Sequence, residues 1–537
     1  MNAIADSPQR DGLPRSLLIT WWVLLAAVLI AVIAARIHLL QVPLERDEGE
    51  YAYAGQLMLE GVPPYKLAYN MKFPGTYAAY ALIMSIFGQT IAGIHSGLLV
   101  VNLATIACLY LLGRALLSPV CGIVSAASYA VLSVSPGVLG FAAHATHFVV
   151  LPVVTGIYLL VARQNRPSAA RVFGAGACFG AAILMKQPAL FFAAVGLTIL
   201  CVWYWKRWTL LVRQIVVFSV GVVLPFALTC SFLWTAGVFP TFWFWTIAYA
   251  REYATLLPVS QGWQDLRETL PGVIGATWPL WLLALIGLVG LFSRRETRSV
   301  AFRFLCPLLF FSLPAVGAGL YFREHYFIQL LPALSLLAGA AVTLIGGVSS
   351  TRWRRWIGFA VFAAAVAGPL FSQRQFLFLL EPTEVSRVAY GINPFPESIR
   401  VAQFIRERTT PQDTIAVVGS EPQIYFYTQR HSTSGFIYMY ALMETQPYAA
   451  EMQRQMISQI EAARPKYVVF VGFGASWLRR AESPSLIFDW WKDYSASQLT
   501  GVGVVNVVSP RQTDYYLPYH GEPVQLAPNC ILISERR

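Results

Sequence analysis

Charged residues are scarce in this chain of 537 residues. They make up 12% of it, whereas apolar residues make up 56% and the mean hydropathy is +0.55. A soluble domain carries about 25% charged residues, so this composition excludes a soluble enzyme and a disordered chain. We therefore interpret the sequence as that of a multi-span membrane protein.

Acidic residues are particularly few before residue 373. Residues 1–372 contain 12 Asp and Glu against 24 Lys and Arg, whereas residues 373–537 contain 15 of each. The formal net charge of +12 therefore arises in the apolar part of the chain. Nucleic-acid binding requires a basic face on a soluble domain, so we expect no nucleic-acid partner and attribute the charge to membrane topology.

Cysteines and glycine motifs also exclude some classes. Six of the seven cysteines fall in apolar runs, where Cys behaves as a small hydrophobic residue, and their spacing predicts neither a disulfide framework nor a metal site. The pairs Gly472/Gly474 and Gly501/Gly503 lack the third glycine and the following helix of a dinucleotide-binding fingerprint. We interpret both as turns.

Long apolar runs dominate residues 1–372 and predict a polytopic α-helical membrane domain with about eleven transmembrane helices, since a span needs about 20 apolar residues. The runs lie near residues 16–37, 91–112, 117–136, 143–162, 172–186, 188–205, 214–236, 272–292, 304–321, 326–346 and 356–372. Pro188 can kink a helix, so residues 172–205 are either two spans or one broken helix.

Basic residues predict the orientation of these spans. An N-terminus in the cytoplasm places 16 of the 24 Lys and Arg of this part inside, as the positive-inside rule requires. They are Arg10, Arg15, Arg114, Arg163, Arg166, Arg171, Lys206, Arg207, Arg213, Arg294, Arg295, Arg298, Arg303, Arg352, Arg354 and Arg355. We therefore expect a multi-pass protein of the cytoplasmic (inner) membrane, with residues 39–75 and 373–537 on the outer, periplasmic side.

The tail, residues 373–537, is predicted to be a separate soluble α/β domain. Short β-rich runs at 415–418, 467–471 and 502–508 alternate with helical patterns at 397–408 and 448–463. Strands separated by helices predict a small parallel or mixed sheet.

The first outside loop, residues 39–75, concentrates the acids of an acid-poor region. Five of the 12 acidic residues before residue 373 lie there, namely Glu45, Asp47, Glu48, Glu50 and Glu60. A solvated loop is the alternative explanation. However, Asp47 closely follows the first span, residues 51–58 form an amphipathic stretch suited to the membrane interface, and Lys72 supplies a cation. A carboxylate and an ammonium group at lipid depth suit chemistry on a lipid phosphate.

Further candidates lie on the same predicted side. Arg323 is a candidate phosphate ligand, and the alternative is a snorkelling arginine. Tyr326 is a candidate substrate ligand or an aromatic-belt anchor. Lys186 either closes a cavity above the lipid phosphate or snorkels to water beside Pro188. His144 and His147, spaced i, i+3, are expected on one helix face. With Glu48 or His325 they form a candidate divalent-metal site, and polar packing is the alternative.

Several short motifs carry a resemblance to a known family. They are Arg46-Asp47-Glu48-Gly49, the turn at 61–65 that ends in Tyr65, Lys72-Phe73-Pro74-Gly75, Lys186-Gln187-Pro188 and the segment 323–332. Together with the span count and the soluble tail, the arrangement resembles the GT-C fold membrane glycosyltransferases of the protein mannosyltransferase and aminoarabinose transferase type.

The resemblance implies transfer of a sugar from a polyprenyl-phosphate donor to a glycan, lipid or protein acceptor on the outer face of the membrane. It implies a catalytic role for Asp47, with Glu48 beside it, and donor-phosphate contact for Lys72. Substrate-binding roles are expected for Tyr65, Lys186, Arg323, His325 and Tyr326. The sequence predicts no definite cofactor. A divalent metal at His144 and His147 is one of the two alternatives for these residues.

Two other classes of protein are compatible with a polytopic, inside-basic chain. A transporter or flippase typically buries ionisable residues in its spans and has repeated halves, whereas these spans are almost free of Asp, Glu, Lys and Arg. A membrane-anchored binding or sensory protein would act through its tail and would not need the first loop. The acidic first loop favours the enzyme.

Overall fold

The structure is a computed structural model that describes residues 15–162, 166–293, 295–347 and 352–537. Arg10, Arg163 and Arg294, which support the predicted orientation, lie outside the described residues. The chain forms two compact units. Unit 1 comprises Met1–Leu40, His95–Ser231 and Leu257–Leu380, and unit 2 comprises Gln41–Ile94, Phe232–Leu256 and Glu381–Arg537. Unit 2 thus joins the first loop to the tail, and the predicted division into residues 1–372 and 373–537 stays a prediction.

Unit 1 consists of helices, most of them apolar. Those that lie wholly or mostly in it are Arg15–His38, Ile91–Leu116, Pro119–Leu132, Ala145–Val161, Ala169–Met185, Leu190–Tyr204, Trp208–Thr235, Val259–Ile274, Trp278–Ser293, Arg295–Val300, Cys306–Gly317, Leu331–Gly347, Arg352–Ser372 and Arg374–Phe378. The described residues contain eight helices long and apolar enough to cross a membrane. The multi-pass prediction is confirmed.

The predicted number of eleven spans is not fixed by these helices. Each predicted run contains a helix, but Pro119–Leu132 has 14 residues and both Ala145–Val161 and Ala169–Met185 have 17. A span perpendicular to the bilayer needs about 20 residues, so these three helices are short for a complete crossing.

The break at Lys186 separates two helices. Ala169–Met185 ends before Lys186, whose backbone is extended (φ −157°), and a 3-10 turn, Gln187–Ala189, leads into Leu190–Tyr204. A Cβ added at Gly196 would come within 3.0 Å of Phe179. Residues 17 apart on one straight helix lie about 25 Å apart, so the two helices fold back against each other as a hairpin.

Small residues allow other helices of unit 1 to approach closely, as is common in membrane proteins. A Cβ added at Gly287 in the helix Trp278–Ser293 would lie 1.9 Å from the carbonyl oxygen of Leu337 in the helix Leu331–Gly347. Any larger side chain at Gly287 would therefore push these two backbones apart.

Unit 2 combines helices with one sheet. Its helices are Arg46–Leu59, Gly75–Phe87, Phe239–Trp243, Ala250–Ala254, Pro382–Tyr390, Phe395–Arg406, Gln423–Thr428, Tyr440–Met443, Ala449–Ala463, Gly474–Trp477 and Leu486–Gln498. A π-helical segment, Phe244–Tyr249, joins the third and fourth of these. We call Arg46–Leu59 the first-loop helix. It begins at a capping box, in which the Glu45 side chain accepts from the backbone N–H of Glu48 and the Glu48 side chain accepts from that of Glu45.

The sheet has five strands, which are β1 Ile415–Val418, β2 Tyr467–Val471, β3 Leu499–Ser509, β4 Gln512–Tyr516 and β5 Cys530–Arg536. Their order is β1-β2-β5-β3-β4. Strands β1 and β2 are parallel and the other neighbours antiparallel, which confirms the predicted mixed α/β domain and its three predicted strands.

Two details of the sheet differ from the sequence analysis. Gly501 and Gly503 do not form a turn but lie within β3, where the pairing with β5 shifts register between them, because glycine accommodates a β-bulge without steric cost. Strands β4 and β5 were not predicted. The side chains of β4 are only partly buried or exposed, so its sequence has no apolar pattern that would indicate a strand.

Candidate active site

The first-loop helix is buried although it is rich in charge. Twelve of its 14 residues are buried, including Arg46, Asp47, Glu48 and Glu50. The expectation that residues 51–58 rest on the membrane interface is wrong for Tyr51, Ala54 and Leu57, because these side chains pack inside the protein. Charged residues are rarely buried without partners, so the contacts of these four side chains need an explanation.

Asp47, Lys72 and Glu50 form a linked ionic group. Nζ of Lys72 lies 2.9 Å from Oδ1 of Asp47 and 2.7 Å from Oε2 of Glu50. The Glu50 side chain is 1% exposed, whereas those of Asp47 and Lys72 are 12% and 22% exposed. The predicted carboxylate and ammonium group are therefore in direct contact, and both retain some access to solvent.

Tyrosine hydroxyls complete the group. Tyr438 donates to Oδ1 of Asp47 at 3.1 Å, and Tyr77 donates to Oε1 of Glu50 at 2.6 Å. Tyr65 donates to the backbone carbonyl of Lys72 at 2.7 Å. Tyr65 has a positive φ of 66°, which is unfavourable for a bulky residue and recurs at functional sites. The hydrogen bond of Tyr65 therefore holds the backbone of Lys72 in place.

Burial and charge together set the ionisation of this group. Burial disfavours the charged form of Lys72, but the carboxylates of Asp47 and Glu50 outweigh it and raise the pKa of Lys72 well above its ordinary value. Burial raises the pKa of Glu50, and Lys72 opposes that shift. Burial and then the charge of Asp47 raise the pKa of Glu45. The ionic group thus favours the cationic form of Lys72, and it shifts the pKa values of Glu50 and Glu45 toward the neutral acid.

Glu48, predicted beside Asp47 in the catalytic role, lies at the start of the helix. Its Oε2 accepts from the backbone N–H of Glu45 at 3.4 Å, and its own backbone N–H donates to Oε1 of Glu45 at 2.9 Å. These contacts stabilise the first turn of the helix and thereby hold Asp47 in place.

Unit 1 brings together four other predicted residues. Nζ of Lys186 lies 3.5 Å from the ring centroid of Tyr326, the Tyr326 ring packs edge-on against His325, and His325 stacks on His144 with ring centroids 3.9 Å apart. His325 and Tyr326 lie on a short 3-10 helix, Glu324–Leu330, which Arg323 precedes as its N-cap residue. The Arg323 guanidinium lies 5.8 Å from the ring centroid of Tyr321.

The two predicted metal ligands are not paired as expected. His144 precedes the helix Ala145–Val161 with an extended backbone (φ −59°, ψ 149°), so the i, i+3 rule for one helix face does not apply to it. His147 is buried in that helix. Within unit 1, the stacked imidazoles of His144 and His325 are two candidate nitrogen ligands for a metal.

Comparison with known proteins gives one family-profile match and several matches of fold. A family profile described as dolichyl-phosphate-mannose-protein mannosyltransferase matches residues 72–234. The crystal structure of ArnT from Cupriavidus metallidurans bound to undecaprenyl phosphate matches with a TM-score of 0.56 and 15% identity, covering 96% of this chain and 98% of that one. Its apo state matches with a TM-score of 0.51 and 16% identity over the same shares.

A second enzyme has the same architecture. The oligosaccharyltransferase of Archaeoglobus fulgidus, in complex with Zn and sulfate, matches with a TM-score of 0.53 and 15% identity, covering 93% of this chain and 74% of that one. The chain has the GT-C fold. No curated protein sequence matches it.

Within this GT-C fold, the sequence analysis missed the residues that the tail contributes around Asp47. Tyr438 contacts Asp47, Tyr440 accepts from Arg46 at 3.1 Å, and Glu421 pairs with Arg46 at 2.6 Å. The sequence did contain one indication of Glu421 as a candidate. This residue closely follows the predicted strand at 415–418, and the carboxyl ends of parallel strands commonly carry functional residues.

Proposed function

We propose that the chain is an inverting glycosyltransferase of the cytoplasmic membrane. It transfers a sugar from a polyprenyl-phosphate donor to an acceptor hydroxyl of a glycan, lipid or protein on the outer face, where the first loop and the tail lie. Asp47 is the general base and Lys72 the principal contact of the donor phosphate. The contact between Asp47 and Lys72 is the observation that carries this proposal.

Support comes from fold and geometry together. The GT-C architecture is shared with ArnT, whose structure contains undecaprenyl phosphate. The family profile that matches residues 72–234 is described as a dolichyl-phosphate-mannose-protein mannosyltransferase. An ionic group that is buried yet partly open at Asp47 and Lys72 is suited to reaction with a bound ligand.

The reaction that these residues can perform is a single displacement. The acceptor oxygen attacks the anomeric carbon, its proton passes to the Asp47 carboxylate, and the bond from that carbon to the phosphate oxygen breaks. The polyprenyl phosphate leaves with the bonding electrons and gains negative charge. Lys72 stabilises this charge in a poorly hydrated site, and attack opposite the leaving group inverts the anomeric centre.

The remaining predicted residues bind substrate in this proposal. Lys186 is cationic and is held against the Tyr326 ring, and Arg323 begins the short helix that carries His325 and Tyr326. These groups suit a phosphate and an isoprenoid or sugar face. Tyr65 acts on the donor site by fixing the backbone of Lys72.

A divalent metal is a separate proposal. His144 and His325 are its candidate ligands in unit 1, in place of the predicted pair His144 and His147, and the metal would supply Lewis acidity toward phosphate oxygens. We expect transfer to fall after treatment with EDTA and to recover with Zn²⁺ or Mn²⁺. Unchanged transfer by protein shown to be metal-free would contradict this proposal.

The test of the main proposal is a transfer assay. Purified protein is incubated with a panel of radiolabelled polyprenyl-phosphate hexoses and pentoses and with membrane extract as acceptor. We expect Asp47→Asn to lower the rate by about 100-fold to 10,000-fold, the contribution of a general base. Glu60→Gln is the matched control, because Glu60 lies at the end of the same helix with its side chain 42% exposed.

Two outcomes would contradict the proposal. Transfer by Asp47→Asn at the wild-type rate would remove Asp47 as the base. Consumption of no donor in the panel by the wild-type protein would argue against a glycosyltransferase and in favour of transport.

A further inference from the structure

Two tyrosines of the tail contact consecutive residues of the first-loop helix. The Tyr438 hydroxyl donates to Oδ1 of Asp47 at 3.1 Å. The Tyr440 hydroxyl accepts from Arg46 at 3.1 Å and donates to the carbonyl of Ala475 at 2.8 Å. The two tyrosine rings pack edge to face with centroids 4.7 Å apart. We call Tyr438 and Tyr440 the tyrosine pair.

Arg46 is fixed by further buried groups of the tail. Its guanidinium donates to Oε1 of Glu421 at 2.6 Å, to the carbonyl of Ser420 at 2.6 Å and to Oδ1 of Asn393 at 2.9 Å. The Glu421 side chain is 0% exposed. A buried arginine with four different acceptors in fixed positions has little rotational freedom, because its planar fork must satisfy all of them at once.

The helix backbone lies equally close to the tail. A Cβ added at Gly49 would lie 2.6 Å from the backbone nitrogen of Gln423. One turn later, the Tyr53 hydroxyl accepts from the backbone N–H of Ser432 at 2.7 Å. Before the helix, the backbone N–H of Leu44 donates to the Tyr427 hydroxyl at 3.0 Å. The first-loop helix is thus held along its length by residues of the tail.

We propose that the tyrosine pair positions the Asp47 carboxylate, so that the tail is an integral part of the catalytic centre and not a passive cap. This inference rests on the proposed function, in which Asp47 is the base. Tyr438 and Lys72 both donate to the same oxygen, Oδ1. Two donors from different directions fix the plane of a carboxylate, and a base must be oriented to within a fraction of an ångström to accept a proton efficiently.

The competing explanation is that these contacts only stabilise the fold. A structural role predicts that loss of a hydroxyl lowers the melting temperature and leaves kcat unchanged in the protein that remains folded. A positioning role predicts a lower kcat with donor KM little changed, because the donor phosphate contacts Lys72 and not the tyrosines. The two explanations therefore differ in a measurable way.

Tyr427 supplies a matched control. Its hydroxyl also joins the tail to the first loop, because it accepts from the backbone N–H of Leu44. This hydrogen bond involves neither Asp47 nor Arg46. Tyr427→Phe removes one hydrogen bond between the first loop and the tail, as Tyr438→Phe does, but at a backbone N–H and not at the Asp47 carboxylate. Any effect of loosening the loop in general should appear in both variants.

The experiment compares Tyr438→Phe, Tyr440→Phe and Tyr427→Phe with wild type, using the radiolabelled donor that the wild-type protein consumes. We expect Tyr438→Phe to lower kcat roughly 10-fold to 100-fold, the effect of one hydrogen bond to a charged group. Tyr440→Phe should lower kcat by a smaller factor, because it acts through Arg46. Donor KM should change less than about 2-fold in both, and Tyr427→Phe should retain the wild-type kcat.

Melting temperatures and a double-mutant cycle complete the test. We expect the effects of Tyr438→Phe and Asp47→Asn on kcat to be non-additive, because both act on one carboxylate. Wild-type kcat in Tyr438→Phe, or an equal loss in Tyr427→Phe, would overturn the positioning role while leaving the proposed function intact. Wild-type kcat in Asp47→Asn would instead overturn the proposed function and the positioning role with it.

Discussion

The ammonium group of Lys72 donates to Oε2 of Glu50 at 2.7 Å, and the Glu50 side chain is almost completely buried. The same ammonium group contacts Asp47. Lys72 therefore pairs with two acids, of which Glu50 is buried and Asp47 is partly exposed. This arrangement lets Glu50 hold the lysine in position while Asp47 keeps access to solvent, and it gives the two carboxylates different expected responses to substitution.

Glu50→Gln should be far milder than Asp47→Asn. Burial raises the pKa of Glu50, and glutamine resembles the protonated acid: its oxygen can accept from Lys72, and its NH2 group can donate to the Tyr77 hydroxyl. We expect Glu50→Gln to retain transfer within about 10-fold of wild type. The measurement is the transfer assay at neutral pH. A loss as large as that of Asp47→Asn would mean that the charge of Glu50 takes part in the reaction.

The pH dependence of stability provides a second prediction for Glu50. Because its pKa is raised in the folded protein, the folded state binds more protons than the unfolded chain from about pH 4.3, the ordinary value, up to the raised pKa. The free energy of unfolding therefore falls as pH rises through this window. We expect a falling melting temperature in wild type and a shallower fall in Glu50→Gln. An identical slope in both proteins would contradict this assignment.

Lys72→Met should affect both stability and donor binding. Removal of the ammonium group leaves the buried Glu50 acceptor without its cation, which costs about 1–3 kcal/mol, and it removes the proposed phosphate contact. We expect a lower melting temperature and weaker binding of undecaprenyl phosphate. Lys72→Arg keeps the charge and is the control that should preserve stability. Unchanged binding in Lys72→Met would exclude a phosphate role for this lysine.

Gly49 is required by the close approach of the first-loop helix to Gln423. A methyl group there would overlap the backbone of Gln423, and backbone cannot move aside as a side chain can. We expect Gly49→Ala to lower stability by about 1–3 kcal/mol, as overpacking does, although alanine favours helix. Gly474→Ala, where no atom lies within 4 Å of the added Cβ, is the control. Equal melting temperatures would contradict this packing.

The sequence predicted the features that depend on short-range patterns. Apolar runs located the membrane helices because a span must be apolar over its length. The acidic cluster identified Asp47 and Lys72 as candidates because charge is costly in an apolar region. The hairpin at Lys186 was left open, since Pro188 predicts a break but not the direction that the chain takes after it.

Contacts between distant segments were not predicted. Tyr438 and Glu421 lie more than 370 positions after the residues that they contact, and no local pattern pairs them with residues 46 and 47. The burial of Tyr51 was missed for the same reason. An amphipathic stretch predicts an apolar face but does not distinguish a lipid surface from the interior of a protein.

Tyr326 and Lys186 give a last prediction, in unit 1. The ammonium group lies 3.5 Å from the ring centroid, a contact worth about 0.5–2 kcal/mol, and the ring thereby orients the cation that we assign to donor binding. Tyr326→Leu should weaken binding of undecaprenyl phosphate by about 2-fold to 30-fold. Tyr326→Phe keeps the ring and should bind as wild type does. Equal affinity in wild type, Tyr326→Leu and Tyr326→Phe would show that this pair takes no part in donor binding, whereas an equal loss in both variants would point to the hydroxyl in place of the ring.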